Sequence, residues 1–81
     1  MEKPERLLYI YTRFLNGKAL NKEELAQRLD VNVRSIQRDI SDINNFLYED
    51  QEWHGLEGQI VYDNTIEKHR LKIDRYKFKN N

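Results

Sequence analysis

The fold is decided by residues 21–40, which read NKEELAQRLDVNVRSIQRDI. Asn21 is a residue type that caps helices, and Glu24 follows at the position from which a side chain can reach back to complete a capping box. Asn32 is a second capping residue, and it precedes a second run with apolar residues at helical spacing. The stretch therefore predicts two helices joined by a tight turn.

The link between these helices consists of Asp30, Val31 and Asn32. So short a connection makes the helices pack against each other at a steep angle, as in a helix-turn-helix. Ala26 is small where they must approach each other closely. Asp30 stands where the turn needs a positive φ, a conformation that glycine adopts most easily and that Asp tolerates better than most residues.

The second predicted helix has an apolar side and a polar side. At about 100° per residue, the apolar side collects Val33, Ile36, Ile40, Ile43 and Leu47. Roughly 150° away lies a stripe of Arg34, Arg38, Ser41 and Asn45, with Gln37 on its border. Asp39 and Asp42 are expected on the flank between the two sides, so the face opposite the core carries donors and neutral groups and no carboxylate.

A face of this kind matches the edges of base pairs. Arginine can bond guanine through two hydrogen bonds, and Gln and Asn can do the same for adenine. We therefore predict a recognition helix at about 33–47 in the major groove, with base contacts from Arg34, Ser35, Gln37, Arg38 and Ser41. Lys22 and Asn45 are predicted to contact phosphates. The alternative is an ordinary solvated helix face, which is what most charged helix faces are.

The segment before this pair predicts a third helix. Pro4 and Glu5 suit a first helical turn, and Gly17 suits the end. The residues expected to face the core are Leu7, Leu8, Tyr11, Phe14 and Leu15. Tyr9 and Arg13 are expected to be exposed.

Residues 59–74 change to a period of two and predict a β-hairpin. Asp63, Asn64 and Thr65 supply the turn, and Leu71 and Ile73 alternate with the basic residues Lys68, Arg70 and Lys72. The fold class is therefore mostly α with a small β-hairpin, a three-helix winged helix-turn-helix. We predict phosphate contacts from Lys68, His69, Arg70 and Lys72, the alternative being a charged strand face that only prevents aggregation.

The remaining segments carry less information. Residues 48–58 are predicted to form a loop, with Trp53 capping the core, and residues 75–81 are interpreted as a linker that follows a domain of residues 1–74 and leads toward an absent C-terminal domain. With 81 residues, 38% hydrophobic residues and nine aromatic side chains (11%), the chain suits one small compact domain. It has no cysteine, which suits a reducing cytoplasm, and no apolar run that could span a membrane.

The charge is balanced in total but divided along the chain. Lys and Arg number 14, as do Asp and Glu, so the formal net charge is zero, which argues against a strongly basic non-specific binder. Residues 49–57 carry only acidic charges, whereas the charges of residues 68–79 are all basic apart from Asp74. Such a division can orient a protein on a polyanion without a net positive charge.

Catalytic and cofactor motifs are absent from the sequence. His54 and His69 stand alone, the three glycines are scattered, and no carboxylate pair has an evident apolar pocket. We expect no catalytic residue, no cofactor, no metal site and no enzymatic activity.

Several segments resemble the N-terminal winged helix-turn-helix of bacterial WYL-domain transcriptional regulators, and the middle segment is shared with DeoR-like and biotin-repressor-like domains. The resemblance is carried by residues 5–8, 21–26, 33–40, 60–63 and 70–71, of which 34–40 are the most specific. It implies a cytoplasmic transcription factor that binds double-stranded DNA through this domain and forms homo-oligomers through a larger, ligand-sensing C-terminal domain. The family usually has glycine in the interhelical turn and near the wing tip, where this chain has Asp30 and Lys68-His69.

A rival interpretation is a winged-helix module for protein–protein interaction or dimerisation without direct DNA readout. The zero net charge and the acidic segment 49–57 favour it, whereas the acid-free arginine stripe favours DNA. A continuous positive band from Arg34 and Arg38 across the hairpin would indicate DNA, and an interrupted band beside an exposed apolar patch would indicate a protein partner.

Overall fold

Three helices followed by a two-stranded antiparallel hairpin make up the computed structural model, which describes residues 1–49 and 55–76. The elements are α1 (Lys3–Leu15), α2 (Lys22–Leu29), α3 (Val33–Glu49), β1 (Leu56–Asp63) and β2 (Lys68–Tyr76). This is the predicted winged-helix topology. The predictions for Trp53, for His54 and for residues 77–81 of the tail lie outside the described residues.

The caps of α2 and α3 are those that the sequence predicts. The Asn21 side chain accepts a hydrogen bond from the Glu24 amide at 2.9 Å, and the Asn32 side chain accepts one from the Ser35 amide at 2.8 Å. Asp30 ends α2 in the left-handed conformation, with φ 56° and ψ 50°. Local side-chain chemistry thus determines the turn between the two helices.

The core forms where the three helices meet the hairpin. Its buried members are Ile10, Phe14, Leu25, Ala26, Ile36, Ile40, Ile43, Leu47, Leu56 and Ile60. The predicted apolar side of α3 is confirmed, apart from Val33, which is only partly buried.

The predicted apolar face of α1 is partly wrong. Leu8 is 63% exposed and Leu15 is 41% exposed, whereas Ile10, which the prediction omitted, is completely buried. The run Leu7–Tyr11 is apolar or aromatic throughout, so its pattern does not determine which side faces inward. Tyr9 and Arg13, expected to be exposed, are half-buried because the Arg13 guanidinium lies 3.3 Å above the Tyr9 ring.

The hairpin is longer than predicted, at Leu56–Tyr76 rather than 59–74. Residues 48–58 are not all loop, because α3 continues to Glu49 and β1 begins at Leu56. Gly58 lies inside β1 beside a bulge, and a methyl group there would come within 2.7 Å of the Lys72 carbonyl oxygen. The close approach of the two strands therefore requires glycine at this position.

A short main-chain bridge joins the hairpin to the chain between α1 and α2. The Leu20 amide donates to the His69 carbonyl at 2.8 Å, and the His69 amide donates back at 2.9 Å. In the adjoining turn of the hairpin, the Asp63 side chain accepts a hydrogen bond from the Thr65 amide at 2.9 Å, and Glu67 has a φ of 54°. The left-handed residue of the turn is thus Glu67, one position before the Lys68-His69 pair.

Candidate nucleic-acid interface

The polar stripe of α3 is open to solvent along its length. Arg34, Gln37, Arg38, Ser41 and Asn45 are all exposed. Within residues 1–49 and 55–76, neither Arg34 nor Arg38 forms an ion pair, so both guanidinium groups are available to a partner. Ser35 is half-buried, and its amide is already bound to the Asn32 cap.

A buried ion pair holds α3 against α1. It involves Asp39, whose predicted position on the flank of α3 is wrong. Asp39 was expected on a flank, but its side chain is fully buried and accepts two hydrogen bonds from Arg6, from Nε and, at 3.1 Å, from Nη2. The hydrogen bond to Asp39 raises the pKa of the Arg6 guanidinium above its ordinary value. The pair fixes the rotation of α3 about its axis, and so determines which side chains face outward.

The sequence does contain a weak signal for this pair. Asp39 follows Ile36 by three positions and precedes Ile43 by four, which places it among the apolar residues of α3. A carboxylate at such a position needs a cation from elsewhere in the fold. Periodicity within α3 could not identify Arg6 as that cation.

The basic face of the hairpin forms as predicted, although neighbouring carboxylates reduce its charge. Lys68, Arg70 and Lys72 lie on one face, opposite Asp63, Val61 and Gln59 in the strand register. Arg70 Nε lies 2.9 Å from Asp63 Oδ2, and Lys72 Nζ lies 3.9 Å from Asp74 Oδ1. The hydrogen bond from Arg70 is also the largest cause that lowers the pKa of the Asp63 carboxyl.

His69 lies apart from the other predicted wing contacts. It alternates with Lys68 and Arg70 along β2, and its ring meets the Tyr62 ring edge-on, with centroids 5.1 Å apart. Burial, followed by the nearby charge of Lys22, lowers the pKa of the imidazole below its ordinary value. The ring lies on the opposite face of β2 from Lys68 and Arg70. Lys22 is half-buried in the first turn of α2, where it lines a groove together with Tyr62 and His69.

Asn44 is a residue of the interface that the sequence interpretation missed. Its side-chain amide donates to the Ile60 carbonyl at 3.1 Å and accepts from the Ile60 amide at 2.7 Å. The hairpin is therefore attached directly to α3, the helix that carries the arginine stripe. The pattern of α3 alone offers no sign of this contact, because the partner is main chain in β1.

A different flank of the molecule presents apolar side chains to solvent. Leu8 and Phe46 are 63% and 47% exposed, and together with Leu7, Tyr11 and Ile43 they line a shallow groove between α1 and α3. The Tyr11 and Phe46 rings meet edge-on at 6.1 Å, and burial raises the pKa of the Tyr11 hydroxyl. We call Leu7, Leu8, Tyr11, Ile43 and Phe46 the α1–α3 patch. Lys3 and Asp42 form an ion pair at 3.0 Å, and Asp42 borders the groove.

Neither a membrane-spanning helix nor a metal site is found among residues 1–49 and 55–76. No helix there has the length and apolar character that crossing a membrane requires. No group of three or more His, Cys, Asp or Glu side chains there could hold a metal ion.

Comparison with known families agrees with this geometry. A family model described as an HTH domain matches residues 6–49, which is more than half of the chain. The match runs from Arg6 of the buried ion pair to the last residue of α3 and leaves out the hairpin. No curated protein and no solved structure matches the chain. The chain belongs to this HTH domain family, which is a family of helix-turn-helix DNA-binding domains.

Proposed function

We propose that the chain is the sequence-specific DNA reader of a bacterial transcriptional regulator, acting in the cytoplasm. In this proposal α3 lies in the major groove, with base contacts from Arg34, Ser35, Gln37, Arg38 and Ser41. Lys22, Asn45 and the basic hairpin contact phosphates. The WYL-domain or DeoR-like class is part of the proposal, as is a C-terminal domain through which the full-length regulator forms homo-oligomers. It includes no catalytic step.

The observation that carries the proposal is that Arg34 and Arg38 of α3 are exposed and form no ion pair among residues 1–49 and 55–76. Five other basic side chains of the described residues, those of Lys3, Arg6, Arg70, Lys72 and Arg75, have carboxylate partners. Arg34 and Arg38 are one helical turn apart on the same face, as two side chains that enter one groove must be. The Arg6–Asp39 pair supports the proposal because it fixes that face outward.

Selection from a pool of random-sequence DNA duplexes tests the proposal without knowledge of the operator. The parent chain should enrich one related set of sequences, and the Arg34→Ala/Arg38→Ala double variant should not. Lys18→Ala is the control, because it removes an exposed positive charge outside α3 and should enrich the same sequences as the parent. Equal enrichment by the double variant, or no enrichment by the parent, would contradict the proposal.

A second candidate function is a protein–protein interaction module, and the α1–α3 patch favours it. Exposed Leu8 and Phe46 beside Tyr11 suit an apolar partner better than a phosphate backbone. A chain of this kind would leave the random-duplex pool unenriched, and Leu8→Glu would abolish its partner binding. In the proposed DNA reader, Leu8→Glu should leave enrichment of the duplex pool unchanged, because Leu8 lies on α1 and outside the arginine stripe.

A further inference from the structure

The Asn44 side chain joins the arginine-bearing helix α3 to the hairpin by hydrogen bonds, in addition to the core packing of Leu56 and Ile60. Asn44 of α3 forms two hydrogen bonds to the main chain of Ile60 in β1, at 3.1 Å to the carbonyl and 2.7 Å to the amide. The side chain is half-buried, so solvent competes only weakly for these bonds.

The geometry of Ile60 explains why a side chain makes these bonds. In the hairpin register Ile60 lies opposite Leu71, and its amide and carbonyl point away from β2 toward α3. β1 is the edge of the sheet on this side, since the sheet order is β1–β2. The carboxamide of Asn44 therefore takes the place that a neighbouring strand would occupy. The Ile60 side chain, 5% exposed, belongs to the core.

We propose that Asn44 is a positioning residue that fixes the hairpin relative to the base-reading face of α3. The proposal rests on the proposed DNA-binding function and adds a residue that need not touch DNA. Asn44 comes three positions after Ser41 in α3, so Asn44 and the arginine stripe belong to the same rigid helix. Through Ile60 it sets where Lys68, Arg70 and Lys72 stand when α3 occupies the groove. Preformed geometry of this kind improves binding because less order must be created on association.

The two hydrogen bonds to Ile60 require a carboxamide at position 44. The Asn carboxamide carries an acceptor, Oδ1, and a donor, Nδ2, on the same carbon, and these match the amide and the carbonyl of a single residue. Asp at this position would keep the bond from the Ile60 amide but would turn a second acceptor toward the Ile60 carbonyl. Ala would leave both main-chain groups of Ile60 without their protein partner.

A double-mutant cycle on a selected duplex tests whether Asn44 acts through the hairpin. We call the Lys68→Gln/Arg70→Gln/Lys72→Gln variant the wing variant. In the parent background, Asn44→Ala should weaken DNA binding by about threefold to tenfold, as expected when a preformed contact surface loses its fixed position. In the wing variant, the same substitution should weaken binding by less than about twofold, because the contacts that Asn44 positions are already gone.

Two controls separate positioning from a general loss of stability. Ile43→Val removes one buried methyl group from the neighbouring position of α3 and should lower the melting temperature without changing DNA affinity. In Asn44→Ala, hydrogen exchange of the Ile60 amide should speed up more than that of amides bonded within the hairpin. If Asn44→Ala does not fold, Asn44→Ser carries the same cycle, because its shorter hydroxyl cannot bond both main-chain groups of Ile60 and adds no charge to α3.

The outcomes distinguish this proposal from the proposed function. Unchanged affinity of Asn44→Ala in the parent background, or an equal loss in both backgrounds, overturns the positioning role. If that happens while Arg34→Ala/Arg38→Ala abolishes selective binding, DNA reading stands and only the role of Asn44 fails. If the parent chain binds no duplex selectively, both proposals fail together.

Discussion

Asp39 and Asp42 lie three positions apart on α3, and each forms an ion pair with a cation of α1. The two pairs differ in how far solvent reaches them, and so in how much each contributes to stability. The Arg6 and Asp39 side chains are 11% and 0% exposed, whereas those of Lys3 and Asp42 are 50% and 48% exposed. In the buried pair, removal of one partner leaves a desolvated charge. In the exposed pair, water solvates whichever charge remains.

Asp39→Ala should therefore destabilise the domain by about 3–5 kcal/mol. Asp42→Ala, the matched control on the same helix, should cost less than about 1 kcal/mol. Urea unfolding followed by circular dichroism measures both. Similar values for the two variants would mean that Asp39 is not a buried partner of Arg6, and that the rotation of α3 is set by its apolar seam alone.

Sequence patterns were most informative for residues whose partners lie close along the chain. The caps Asn21 and Asn32 and the left-handed Asp30 were predicted because each conformation depends on a few neighbouring residues. Asp39 and Asn44 were not, since their partners Arg6 and Ile60 are 33 and 16 positions away. Such pairs become visible only when the helices and the hairpin have been placed in space.

In the hairpin, too, the sequence predicted the features set by neighbouring residues and missed those that depend on the pairing of the strands. Its alternating pattern predicted a two-stranded hairpin in which Leu71 and Ile73 alternate with Lys68, Arg70 and Lys72, and β2 has this alternation. Its ends were missed: the bulge between Glu57 and Gly58 interrupts the alternation, so the pattern of residues 56–58 does not look like a strand. Asp63 comes beside Arg70 only through the strand register, whereas Asp74 follows Lys72 by two positions on β2, so the alternation alone places it on the same face.

The contribution of the hairpin to DNA binding can be tested by removing its cations and by removing one of these carboxylates. If Lys68, Arg70 and Lys72 each contact a phosphate, the wing variant should flatten the log–log dependence of affinity on salt by up to about 3 units, because each contact releases about 0.9 counterion. Sequence preference should change little, since phosphates carry no sequence information. Titrations at several salt concentrations supply the slope.

Asp63→Asn is the complementary variant. It keeps an acceptor for the Thr65 amide, releases Arg70 from its ion pair, and should tighten binding to any duplex. A salt slope that is the same in the parent, the wing variant and Asp63→Asn would show that the hairpin serves the fold and not the DNA.

At the scale of the whole molecule, three connections join the helices and the hairpin to one another. Arg6–Asp39 joins α1 to α3, Asn44–Ile60 joins α3 to β1, and Leu20–His69 joins β2 to the segment before α2. The topology itself was predictable from the order of helical and alternating patterns. The α1–α3 patch was not, because Leu8 was assigned to the core, and its exposure is the feature that the protein-interaction alternative needs.

The central claim is that the arginine stripe of α3 reads base sequence, and competition binding of Arg34→Ala and Arg38→Ala tests it most directly. The affinity for a selected duplex should be measured against the affinity for random duplex, for the parent and for each variant. Each variant should lose about 1–3 kcal/mol of affinity for the selected duplex, with little change for random duplex. Melting temperatures should stay close to that of the parent, because both side chains are exposed and have no partner among residues 1–49 and 55–76. An unchanged ratio of selected to random affinity in both variants would contradict the assignment of α3 as the recognition helix.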